Sequence, residues 1–125
     1  MNSKLESYYL SKPEPYQGCL LALRDIILNI HPVIIHERKF QIPFFSYKGM
    51  KLAYLWLNRK KLMIGFCTDK QLLPFSENIK AKDRYESFEI DPEEDIPVTI
   101  IQANILRHIN AINEHESRID ARGKS

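Results

Sequence analysis

Residues 52–57, Leu-Ala-Tyr-Leu-Trp-Leu, are apolar at every position. A short run that is apolar on both of its sides reads as a central strand covered on both faces. Helices can cover one face of the sheet that contains it. The other face needs a different cover, and that requirement points to a ligand groove or a partner surface rather than to one chemistry.

The flanking residues extend the sheet. Phe40, Ile42 and Phe44 alternate with Gln41, Pro43 and Phe45, which predicts one extended segment. Pro43 has no amide to give to a ladder, so this segment is expected at a sheet edge or a bulge. Lys48-Gly49-Met50 predicts a turn. Asn58-Arg59-Lys60 joins the central strand to Leu62, Ile64 and Phe66, which alternate with Lys61, Met63 and Gly65 as in a hairpin. Residues 84–90 predict a further strand, made edge-like by Arg84, Glu86 and Glu89. Residues 69–82 keep no period and predict a loop or a short irregular helix.

Helical spacing brackets this sheet. Leu5, Tyr8 and Tyr9 give residues 4–10 one apolar side, and Pro13 and Pro15 then interrupt. Cys19, Leu20, Leu23, Ile26, Ile27 and Ile30 recur in steps of three and four, an amphipathic helix that ends before Pro32. The last helix starts near Pro97 and follows Val98, Ile101, Ile105, Ile109 and Ile112, with Asp95 as its expected cap. Residues 116–125 are polar and are expected to fray. The predicted fold class is α+β: an antiparallel sheet with N- and C-terminal helices packed on one face.

The 125 residues make one domain over 1–125. A chain of this size buries roughly two-thirds of its unfolded surface and stands without disulfides or a structural metal. A net charge of +2 is too small to point to nucleic acid. No apolar run reaches bilayer length, and the first residues lack a signal-peptide core, so a cytoplasmic protein is expected. Cys19 and Cys67 lie among apolar neighbours and form no CxxC pair, as buried free thiols in a reducing compartment would.

Tyr8-Tyr9-Leu10 leads to Pro13; Leu23-Arg24 and Ile26-Ile27 are followed by His31-Pro32; then come Glu37, Pro43, Phe45, Tyr47, Gly49 and the strand from Leu62 to Phe66. In this order and spacing the chain resembles the YdhG-like family of small bacterial domains of unknown function, over nearly its full length. The resemblance implies a frataxin-like α/β sandwich with helices on one sheet face, and places Glu37 at the rim of the aromatic face. It implies, more distantly, an iron-chaperone role. The chain departs from the family at Lys61-Leu62-Met63, where relatives often carry a histidine. A frataxin-like acidic helix is also missing, since residues 16–30 hold Asp25 as their one acid.

The candidate binding residues are Glu37, Lys39, Phe45, Tyr47, Tyr54 and Trp56. Phe45, Tyr47, Tyr54 and Trp56 share one face if the two strands pair across the Gly49 turn. Aromatics with polar tips suit a protein interface, a homodimer contact or a small-molecule groove. The plainer reading is a second layer of core under residues 69–82. Glu37 and Lys39 read as a structural ion pair, or as a base beside a cation.

Asp91, Glu93, Glu94 and Asp95 are the hard-cation candidates for iron, against the simpler role of capping and solvation. The four histidines show no HxH or HxxxH spacing. No G-x-S-x-G elbow or phosphate loop is present, so no catalytic set is assigned. Arg38, Lys39, Lys48, Lys51, Arg59, Lys60 and Lys61 are expected as a basic rim around the aromatic face. The function expected from these residues is that of a non-enzymatic binding module, with a frataxin-like iron chaperone as the alternative.

Overall fold

The chain alternates two-residue turns with strands, and the turn geometry decides the topology. In the computed structural model, which describes residues 3–72 and 82–123, α1 spans Ser3–Leu10 and α2 Tyr16–Leu28. The strands follow as β1 (Ile35–Lys39), β2 (Ile42–Tyr47), β3 (Met50–Asn58), β4 (Lys61–Thr68) and β5 (Arg84–Ile90), and α3 closes the chain at Val98–Gly123. The strands pair antiparallel in sequence order, β1-β2-β3-β4-β5. The helices pack on one face of this sheet, so the fold is α+β as expected. Most of the expected loop over 69–82 lies outside the described residues; its described start is a 3₁₀ turn at Lys70–Leu72.

Three details depart from the sequence reading. The segment around Phe40 is not one strand: Phe40 and Gln41 both take positive φ, 52° and 65°, and form the hairpin turn between β1 and β2. Two central residues at positive φ match the right-handed twist of flanking strands. Phe-Gln carries none of the Gly or Asn that normally announces such a turn, so β1 goes unseen in sequence. β2 is therefore internal, and Pro43 is accommodated because it stands one residue before the ladder to β3 begins at Phe44. Finally, α3 continues through the polar residues 116–123 that were expected to fray. Lys48 reaches from the β2–β3 turn to Glu116 at 3.3 Å, and Glu114 pairs with Arg118 one turn on.

The consequential feature is a β-bulge. The Lys48-Gly49 turn starts β2–β3 pairing with Tyr47 opposite Met50 and Ser46 opposite Lys51, but Phe45 then faces Ala53 and Phe44 faces Tyr54. Leu52 is the extra residue. Leu52 and Ala53 both point into the core and are fully buried, in place of alternating. From there on, every side chain of β3 is on the opposite face from the one a regular hairpin would give it.

Between sheet and helices lies one core. Leu20, Leu23 and Ile27 of α2 and Ile101, Ile105 and Ile112 of α3 meet Phe45, Leu55, Leu62, Ile64 and Phe66 of the sheet. Each fully buried aliphatic side chain contributes roughly 1.5–3 kcal/mol relative to exposure. Two tyrosines dock α1. The Tyr8 hydroxyl accepts the Leu57 amide at 2.9 Å, and the Tyr9 hydroxyl lies 2.7 Å from His36 Nε2.

A candidate binding surface on the uncovered sheet face

The bulge separates the predicted aromatic set. Phe45 and Tyr47 are on the helix side and belong to the core: Phe45 stacks on His36 at 4.8 Å, and the Tyr47 hydroxyl donates to Asn113 Oδ1 at 2.9 Å. Tyr54 and Trp56 are on the other side, where no described helix packs. The expectation that all four share a face is thus corrected, and the physical reason is the extra residue at Leu52.

Phe44 takes their place. It faces Tyr54 across the β2–β3 ladder, with ring centroids 5.6 Å apart, and Phe40 meets its other side at 5.7 Å. Tyr54 meets Tyr85 of β5 at 5.8 Å, although β4 runs between their strands. This reach is possible because the residue opposite Tyr54 on β4 is Gly65. A Cβ there would sit 2.0 Å from Tyr54 Cε2, so the ring lies flat over the bare backbone. The tyrosine hydroxyl then reaches Ser87 Oγ on β5 at 2.5 Å. Trp56 stands beside this row opposite Met63, and is 41% exposed; Tyr85 is 45% exposed.

Polar groups frame the row. Glu37 faces Phe44 across the β1–β2 ladder, accepts the Ser46 hydroxyl at 2.9 Å and pairs with Lys39 at 3.3 Å. The structural ion pair foreseen for Glu37 and Lys39 is thus present, on the uncovered face. Beyond Tyr85, Lys51 Nζ lies 3.1 Å from Asp83 and 3.9 Å from the buried Asp69. Asp69 accepts the amides of Lys51 and Gln71, which satisfies its charge inside the fold. Burial pushes the Asp83 carboxyl up, but the Lys70 amide and Lys51 outweigh it and hold it below the usual range. Cys67, fully buried at this end, is pushed up to about 12, chiefly by burial and secondarily by Asp83. It is an inert thiol.

The expected basic rim is only partly free. Lys39, Lys48 and Lys51 each engage a carboxylate, while Lys61 remains exposed on the uncovered face. The acidic stretch closes on itself, with Asp91 Oδ1 accepting the Glu93 amide at 2.9 Å. Asp91, Glu93, Glu94 and Asp95 do not converge: among the described residues no three His, Cys, Asp or Glu side chains gather as a metal site. The iron reading therefore has no geometric support. None of the described helices is long and apolar enough to cross a membrane.

Phe44, Gly65, Met63 and Tyr85 were missed from sequence. A signal existed for them. The β3–β4 hairpin pairs Tyr54 with Gly65 and Leu55 with Ile64, which sets Tyr54 apart from the Leu62, Ile64 and Phe66 side. That face assignment conflicts with a regular β2–β3 hairpin, and one bulge resolves the conflict.

No family model matches the chain, and no curated protein or solved structure matches it significantly.

Proposed function

We propose that this protein is a non-enzymatic binding module that presents the uncovered sheet face, with Trp56, Tyr54, Met63 and Tyr85, to another protein surface. The observation that carries the reading is the partly exposed Trp56 and Tyr85 beside a continuous aromatic row on a face free of described helices. Tyr, Trp and Met are enriched at protein interfaces, and a flat sheet face suits a protein surface better than an enclosed small ligand. Glu37, Lys39, Lys61 and Glu89 supply charges of both signs around it, as a polar rim does. Placement among YdhG-like domains belongs to the same proposal and rests on the order of short motifs from Tyr8 to Phe66. A cytoplasmic setting is supported by two buried free thiols, Cys19 and Cys67.

The test uses Trp56→Ala and Tyr54→Ala. Wild type is expected to self-associate, or to respond in a thermal-shift panel of peptides and metabolites, and both variants to lose that response while staying folded. If neither variant changes the oligomeric state or any panel response, the proposal fails.

A further inference from the structure

The ladders fix which charges stand beside Trp56. Met63 of β4 is opposite Trp56, and Glu89 of β5 is opposite Met63. Lys61 precedes Met63 by two residues on β4, so it shares the sheet face that no described helix covers. Lys61 and Glu89 are both exposed, and neither side chain has an ion-pair partner among the described residues. The other strand charges of this face are already neutralised, Glu37 by Lys39 at 3.3 Å and Lys51 by Asp83 at 3.1 Å. One free cation and one free anion therefore remain, one strand and two residues apart, next to the tryptophan.

Such a pair is self-complementary. In a two-fold contact residue i meets residue j and j meets i, so a second copy brings a carboxylate to Lys61 and an ammonium to Glu89 at once. With strands about 4.8 Å apart and about 3.3 Å per residue, the in-plane axis that exchanges the two passes close to Trp56. It crosses the two sheets steeply, near the orthogonal class of sheet packing. Each Trp56 then lies against the other copy at the centre, where binding energy concentrates. The apolar surface available is of matching size. Phe40 is 74% exposed, Tyr85 45% and Trp56 41%, which at about 200 Å² per aromatic side chain leaves about 300 Å². Interfaces are a little over half apolar, so this corresponds to about 1,100 Å² buried in total, the low end for a specific contact.

We propose that the surface received by this face is a second copy of the chain, in a two-fold dimer with Trp56 at the axis and Lys61 of each copy on Glu89 of the other. The dimer rests on the assignment of this face to protein binding and names its occupant.

The test is sedimentation equilibrium of the full chain over a concentration series, with acrylamide quenching of Trp56 measured on the same samples. A monomer–dimer equilibrium is expected, with quenching falling as dimer forms. Lys61→Glu and Glu89→Lys each set like charges against one another twice per dimer and should weaken it at least about tenfold. Both positions are exposed, so circular dichroism should show both variants folded. An equimolar mixture of the two variants should dimerise again, because both contacts then join opposite charges. The dimer is overturned if wild type stays monomeric, if Trp56 remains equally quenched as dimer forms, if either single variant associates like wild type, or if the mixture does not recover. A monomeric wild type whose thermal-shift response is lost in Trp56→Ala removes the second copy and keeps the face as a surface for another protein. A dimer and a thermal-shift response that Trp56→Ala and Tyr54→Ala both leave intact remove the two assignments together.

Discussion

Gly65→Ala is the most informative single substitution in the sheet. The added Cβ would stand 2.0, 2.2 and 2.6 Å from Cε2, Cζ and the hydroxyl of Tyr54, so the ring must leave its place. Leaving breaks the bond to Ser87 and both ring contacts, to Phe44 and to Tyr85. The hydrogen bond is worth about 0.5–1.5 kcal/mol and each ring pair a similar amount. Alanine returns about 0.4–1 kcal/mol by restricting the unfolded chain. The expected net loss is roughly 1–3 kcal/mol. Urea unfolding of Gly65→Ala, Tyr54→Ala and the double variant measures it as a cycle. With Tyr54 already removed, Gly65→Ala should cost nothing or stabilise slightly. Equal losses with and without Tyr54, or no loss in wild type, would refute the reasoning that glycine is there to carry the ring.

Three further outcomes follow from the same geometry. Phe45→Ala should cost about 3–5 kcal/mol in urea unfolding, as a core aromatic does, whereas Trp56→Ala on the uncovered face should cost no more than about 1 kcal/mol. His36 is held down to about 4 by burial and then by Arg24, while its unfolded imidazole titrates near 6.5. Between those values only the unfolded chain takes up the proton, so stability is full above about pH 6.5 and falls as pH drops toward 4. For this partly buried ring the loss is between about 1 and 3 kcal/mol, and His36→Gln should flatten the pH dependence of the urea midpoint in that window. Lys51→Met leaves Asp69 and Asp83 without their shared cation, and should lower stability by about 3 kcal/mol at pH 7, with much of the loss recovered below pH 4 as Asp83 protonates.

The helices were legible in the sequence because each carries a sustained apolar spacing that only one period fits. The β3–β4 hairpin was legible for the same reason, since Leu62, Ile64 and Phe66 alternate with polar or small neighbours. The site was legible by half. Tyr54 and Trp56 were found, and Phe45 and Tyr47 were assigned with them by an alternation that holds for a regular hairpin. Leu52 breaks it, and nothing in Leu52-Ala53 announces a bulge, because both residues are apolar and either fits either face. The hairpin turn at Phe40-Gln41 was hidden in the same way: its positive φ values come from strand twist and not from a turn-forming residue type.

The placement of Trp56 on the sheet face that no described helix covers is the central claim, and Trp56 is the single tryptophan of the chain. Acrylamide quenching of its fluorescence in the native protein therefore tests the claim directly. At 41% exposure the native quenching constant should be a substantial fraction of that of the urea-unfolded chain, and Phe44→Ala, which removes the ring facing Tyr54, should not lower it. A native constant near zero in the isolated monomer would put Trp56 inside the fold and contradict the account.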